Sequence, residues 1–126
     1  LKGKIKNKKI LFLGVTFKAN TDDMRDSSSL SMIPLLTRKG AKIAYYDPTG
    51  EKKEFQNLKN VKFVKDINSS IKNSDLTIIH TEWNDFKSIN FKNLSNNKKL
   101  TVYDMRNIYS PEKMKEQGIN YFGIGR

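Results

Sequence analysis

Residues 9–15, KILFLGV, form a short apolar run that closes on a glycine. A run of this length and composition suits a strand buried on both faces, as strands of parallel sheets are. A mixed-charge turn follows over residues 14–26. Residues 27–39 then carry Leu30, Met32, Ile33, Leu35 and Leu36 among polar positions. This second segment reads as a helix, with Asp26 or Ser27 as N-cap candidates, Arg38 and Lys39 in its last turn and Gly40 as its stop. Pro34 lies inside it, where the ring removes an amide donor and clashes with the carbonyl four residues back. A start near Ser29 or Leu30, or a slight kink, is therefore expected.

The alternation continues down the chain. Residues 41–46 (AKIAYY), 61–64, 76–80 (LTIIH), 100–103 (LTVY) and 121–124 read as strands. Residues 67–73 behind Asp66, and 112–117 between Pro111 and Gly118, read as helices, and Asp47-Pro48-Thr49-Gly50 as a turn. Strands alternating with helices predict a Rossmann-like, doubly wound α/β fold, a mostly parallel sheet with helices on both faces. With no internal repeat or low-complexity linker, one domain over residues 1–126 is expected. Ligands of such sheets bind beyond the carboxyl ends of the strands, which singles out residues 14–26, 80–86 and 104–109.

Composition narrows the chemistry. The 126 residues include no cysteine and one histidine, His80. Disulfides, thiolate ligands, a cysteine nucleophile and a multi-histidine metal site are thus excluded within this chain, and no metal site is expected. No apolar run approaches the ~20 residues that cross a bilayer. The amino-terminal residues lack a signal-peptide core and begin without methionine, so a soluble, cytoplasmic piece of a longer protein is expected, with no membrane partner. The net charge of +11 invites a nucleic-acid reading. However, Lys52-Lys53, Lys59, Lys62, Lys65, Lys72, Lys92 and Lys98-Lys99 are scattered among asparagines without an aromatic-interleaved stripe. They read as solvated faces, and no nucleic-acid partner is expected.

The first turn, Gly14-Val15-Thr16-Phe17-Lys18, has only one of the glycines that a dinucleotide fingerprint requires. It offers an aromatic face at Phe17 and an ammonium at Lys18, suited to a base or a phosphate, though a core phenylalanine and a surface lysine fit the spacing too. In Asp22-Asp23-Met24-Arg25-Asp26, the arginine could hold a phosphate bidentately, or the stretch could be a salt-bridged loop whose carboxylates cap the next helix. Arg106, in Asp104-Met105-Arg106-Asn107, could reach the same ligand as Lys18 or pair with Asp104 on the surface. Thr81-Glu82-Trp83 suits a helix cap that buries the tryptophan, and His80 reads as a strand-end packing residue. An acidic receiver pocket of Asp22, Asp23 and Asp47 ranks last, because Asp47 lies in a different turn and Lys18 follows the wrong strand.

Together, LGVTFKANTDDMRDSSSL, HTEWNDFKSINF and VYDMRNIYSPEKMKEQGINYFGIGR resemble the C-terminal, UDP-binding domain of the UDP-glucose/GDP-mannose dehydrogenase family. The resemblance covers residues 9–126, and the T-E-W and Y-x-G-I-G-R strings favour the branch acting on UDP-glucose. It implies a three-part, homodimeric or higher oligomeric enzyme in which an N-terminal domain binds NAD and a cysteine outside this segment does the chemistry. UDP-glucose would be oxidised twice to UDP-glucuronate. No catalytic residue would then lie in this chain. Phe17, Lys18 and Arg106 match substrate-contacting positions, and Arg25 matches an arginine that reaches NAD. The family usually has glycine where Met105 stands, which leaves the placement of Arg106 dependent on a non-glycine backbone. The alternatives are a dehydrogenase of another nucleotide sugar (a UDP-N-acetyl-hexosamine or GDP-mannose) and a basic nucleic-acid-binding module.

Overall fold

A computed structural model describes residues 4–94 and 99–125. Lys98 and Arg126, the latter ending the Y-x-G-I-G-R string, lie outside the described residues. The elements are β1 (Lys9–Leu13), α1 (Ser29–Arg38), β2 (Lys42–Tyr46), β3 (Val61–Phe63), α2 (Ile67–Lys72), β4 (Leu76–Ile79), α3 (Asn84–Lys87), β5 (Thr101–Asp104), α4 (Pro111–Glu116) and β6 (Asn120–Gly123). Short 3₁₀ turns at Lys53–Phe55 and Phe91–Leu94 had no counterpart in the sequence reading. The strands form one sheet in the order β3-β2-β1-β4-β5-β6, every pairing parallel. This is the Rossmann-like α/β fold expected from the alternation.

The strand order reverses between β1 and β4. Right-handed crossovers then place the connections on opposite faces. Alternation along β1 shows the result: Ile10 and Phe12 pack with Ile33 of α1, Ile43, Tyr45 and Phe55. Leu11 and Leu13 pack on the other face with Ile71, Phe86, Phe91, Leu94 and Met114. β1 is thus buried on both sides, as its unbroken apolar run required. The two outgoing crossovers β4→β5 and β5→β6 both use the second face, so Phe122 on the first face of β6 stays 51% exposed.

The caps differ in part from expectation. α1 begins at Ser29 behind Ser28, which makes no side-chain capping bond. Asp26 takes a left-handed conformation (φ 61°) and does not stand at the N-cap position; Ser27, one residue before it, donates its hydroxyl to the Val15 carbonyl at 2.6 Å and accepts the Ser29 amide at 3.3 Å, so it serves the helix start from outside the N-cap position. Pro34 is the sixth helical residue, beyond the first turn, so even with the late start α1 forgoes the amide bond to the Leu30 carbonyl. Asp66 caps α2 through the Ser69 amide, and Ser110 caps α4 ahead of Pro111. Trp83 is buried as expected but stands at the α3 N-cap without a side-chain cap bond.

Gly14 carries the tightest steric demand. Its φ is +81°, and a Cβ there would lie 2.5 Å from the Thr81 Cβ. Gly50 has a similar φ of +97° with nothing within 4 Å. We expect Gly50→Ala to cost only the left-handed strain, about 1–2 kcal/mol, and Gly14→Ala distinctly more, about 3 kcal/mol or above, because the two strand ends must separate. Urea denaturation of both variants measures the difference; equal losses would refute the steric account.

Candidate nucleotide site at the carboxyl edge of the sheet

The connections leaving β1, β4 and β5 meet at the carboxyl ends of the strands. Thr81, just past β4, donates its hydroxyl to the Thr16 carbonyl at 3.0 Å. Arg106, just past β5, donates Nε to the His80 carbonyl at 3.0 Å and Nη2 to the Phe17 carbonyl at 3.2 Å. Its guanidinium therefore lies beside the Phe17-Lys18 peptide. A guanidinium has five N–H groups, and these two bonds hold it while the others remain for a ligand. The Asp104–Arg106 surface pair does not form through side chains; Asp104 Oδ1 instead accepts the Arg106 amide at 3.0 Å.

Asp104 is fully buried, and its Oδ2 accepts from the Tyr109 amide at 3.1 Å and the Tyr121 hydroxyl at 2.8 Å. One carboxylate thus ties the β5 turn to β6. Asn107, at φ +54°, exchanges two bonds with Ile124 at 2.9 and 3.0 Å. Met105 is not among the residues with positive φ; its amide extends the β4 ladder to the Ile79 carbonyl at 3.0 Å. A methionine therefore serves where the family usually has glycine, and Arg106 is held without strain.

Phe17 is 44% exposed and Lys18 is exposed, so the ring is not core. The Phe17 amide donates to the Asp23 carbonyl at 2.9 Å and the Thr16 hydroxyl to the Lys18 carbonyl at 2.9 Å, which shapes the turn without glycines. Arg106 is thus brought to the backbone of the turn that carries Phe17 and Lys18. Arg25 lies in the same loop but is paired there: its Nε and Nη2 both reach the Asp23 carboxylate at 3.0 Å, and its side chain is 88% exposed. The Arg25 fork holds the Asp23 carboxyl below the usual carboxylate range. The loop is salt-bridged, as one reading had it, but its carboxylates do not cap α1.

The two handles by which a Rossmann fold grips a dinucleotide are otherwise engaged. The pyrophosphate belongs at the first helix N-terminus and the ribose on an acidic residue after β2. Here the first three α1 amides are taken by the Ser27 hydroxyl, the Ser27 carbonyl and the Ser28 carbonyl. The acid after β2 is Asp47, which is 1% exposed. Its Oδ2 accepts the Val15 amide at 2.9 Å, and its Oδ1 accepts from the amide and hydroxyl of Thr49. The sequence reading saw Asp47 as a turn residue or, ranked last, as part of an acidic receiver pocket. Its burial also removes it from any acidic receiver pocket with Asp22 and Asp23.

His80 is 1% exposed and bonded through both ring nitrogens, Nε2 to Ser28 Oγ at 2.8 Å and Nδ1 to Thr81 Oγ1 at 3.0 Å. Burial, then the nearby Arg106 charge, lowers its pKa from 6.5 to about 4. The unfolded imidazole takes up its proton near 6.5 and the folded one near 4, so the unfolded state binds more protons between them. Stability accordingly falls as pH drops from about 6.5 and stops falling on this account below about 4. Between pH 7 and pH 5 we expect a loss of about 2 kcal/mol that His80→Gln largely abolishes. Urea melts of both proteins at the two pH values would exclude this if the slopes matched.

A parallel sheet whose strand order reverses at β1/β4, with an exposed ring at that edge and a guanidinium bonded to the backbone beside it, defines a Rossmann-like nucleotide-binding domain. Residues 11–111 match the UDP binding domain of the UDP-glucose/GDP-mannose dehydrogenase family, and the chain belongs to that family as its UDP-binding domain. It is 36% identical over 125 residues to a UDP-glucose 6-dehydrogenase of Rhizobium meliloti, covering 98% of this chain and 29% of that protein. A UDP-glucose dehydrogenase structure from Pyrobaculum islandicum superposes with a TM-score of 0.77 at 26% identity, over 98% of this chain and 26% of that one. An NDP-N-acetyl-D-galactosaminuronic acid dehydrogenase from Methanosarcina mazei shares the fold, with a TM-score of 0.81 at 23% identity, over 98% of this chain and 26% of that one. The chain thus spans under a third of the length of these relatives. Among the described residues, no helix is long and apolar enough to cross a membrane.

Proposed function

We propose that residues 1–126 are the single C-terminal, UDP-sugar-binding domain of an NAD-dependent UDP-glucose 6-dehydrogenase. The longer enzyme would oxidise UDP-glucose twice to UDP-glucuronate, as a cytoplasmic homodimer or higher oligomer. The carrying observation is that, in a chain of this family, the Arg106 guanidinium is oriented by two carbonyls, one of them in the exposed turn that carries Phe17 and Lys18. A UDP group presents two phosphates. Charge-assisted bonds from the Arg106 guanidinium and the Lys18 ammonium would hold them, each contributing ~1.5–3 kcal/mol. The Phe17 ring, exposed beside them, would lie against the base or sugar.

Binding the remote nucleotide positions the sugar carbon for chemistry done elsewhere. Hydride transfer needs NAD, and thioester formation needs a cysteine; this chain has no cysteine. The residues that would grip a dinucleotide in a Rossmann fold are engaged within the chain, so the main NAD site belongs to the rest of the enzyme. Arg25 is the one residue assigned here to reach that NAD, and it would exchange its Asp23 partner to do so.

Calorimetric titration of the chain with UDP, GDP, NAD and a single-stranded RNA tests this reading. UDP should bind, and Lys18→Ala and Arg106→Ala should each weaken it about tenfold or more, with Arg25→Ala leaving it unchanged. RNA binding with a steep salt dependence in place of UDP binding would favour the nucleic-acid module instead. In the longer enzyme, Lys18→Ala should raise KM for UDP-glucose or depress turnover, and Arg25→Ala should act on NAD use. Reduction of NAD by this chain alone would overturn the placement of catalysis outside it.

A further inference from the structure

We propose that His80 is the positioning residue of the nucleotide site: its neutral imidazole, protonated at Nδ1, pins the start of α1 to the end of β4 and so fixes the carbonyl that orients Arg106. The proposal rests on the UDP-binding reading for its ligand, though not for its geometry. Sequence reasoning saw a packing residue, and one contact fits that, since the ring lies 6.1 Å from the Phe12 ring centroid. The polar contacts show more.

The proton arrangement follows from counting hydrogens. The Thr81 hydroxyl has one, and it goes to the Thr16 carbonyl. Thr81 Oγ1 must then accept from His80 Nδ1–H at 3.0 Å. Nε2 is left with its lone pair and accepts from the Ser28 hydroxyl at 2.8 Å. One side chain thereby links the turn after β1, the N-cap of α1 and the turn after β4. The same residue's carbonyl takes Arg106 Nε, and its neighbour's hydroxyl holds the carbonyl just before Phe17 and Lys18. Arg106 is therefore one hydrogen bond from the His80 carbonyl and the Phe17 carbonyl two, while the ring reaches the Lys18 carbonyl through Thr81 and Thr16 in three.

Burial is the dominant effect on its charge; Arg106 past β5 also disfavours protonation, while Asp47 past β2 and the Gly14 backbone past β1 favour it. An imidazolium here would repel the guanidinium that the His80 carbonyl holds. The site thus requires His80 neutral.

The test uses the 126-residue chain, in which the sole histidine gives one imidazole signal. Nitrogen-15 NMR should report the Nδ1–H tautomer, still neutral at pH 5.5, and an Arg106 Nε–H slow to exchange. His80→Leu should lose that Arg106 protection and weaken UDP binding about tenfold. His80→Gln, which keeps a donor and an acceptor, should restore affinity to within about threefold. Ser28→Ala, at an exposed residue, perturbs the fold least; it removes the bond that favours the neutral ring and should raise the imidazole pKa, with a severalfold weaker UDP affinity. An Nε2–H tautomer would overturn the proposal, as would a folded His80→Leu variant with Arg106 still protected and UDP affinity unchanged. Wild type that shows the expected tautomer and Arg106 protection but binds no UDP would support the His80–Arg106 coupling and remove the UDP reading.

Discussion

The contact between Gly14 and Thr81 governs this structure. Because Gly14 lacks a Cβ, the β4 exit can press against the β1 exit at a distance no other residue permits. That approach lets the Thr81 hydroxyl reach the Thr16 carbonyl, brings His80 opposite Ser28, and sets the His80 and Phe17 carbonyls at a spacing one guanidinium can bridge. Were the strand ends farther apart, Arg106 could satisfy one carbonyl or the other but would not be aimed. The burial of β1 on both faces holds the strands in register so that this contact recurs at the same place.

A dinucleotide fold has been put to a different use. Where bound phosphates would satisfy a helix N-terminus, the Ser27 side chain does so, and both Ser27 and Ser29 close on the Val15 carbonyl. Where a ribose would meet an acid, Asp47 meets the backbone of the first turn. These internal substitutes rigidify the turn without the glycines that close approach to a pyrophosphate demands. In the proposed reading the binding groups lie farther out, on Phe17 and Lys18 in the exposed turn and on Arg106 bonded to its backbone.

Much of this was legible from residue pattern. The six strands, α1, α2 and α4 all lie where apolar runs and punctuating Gly, Pro and Asp residues placed them, within a residue or two at each end. Phe17, Lys18 and Arg106 were picked out as strand-end residues of suitable chemistry, and Arg106 does reach the backbone of the turn that carries the other two. Arg25 was picked out equally well, yet the fold gives it to Asp23, two residues away, a choice that composition left even. Asp47 and His80 were under-read for one reason: a carboxylate in a D-P-T-G turn and a histidine ending an apolar strand look structural until their partners are known. Those partners lie 32 and 52 residues away in sequence.

By itself the sequence determined the element order, the parallel α/β class and the family, because apolar periodicity and local motifs are short-range properties written residue by residue. Only the tertiary structure decided which charges are free and which are spent. It assigned Asp23 to Arg25, Asp47 to Val15 and Asp104 to Tyr121, and left Lys18 and Arg106 facing outward with no carboxylate ion pair among the described residues. Such assignments depend on which strand ends come within ~3 Å of each other. That distance is set by the crossing of chain segments far apart in sequence, with one glycine at their point of contact.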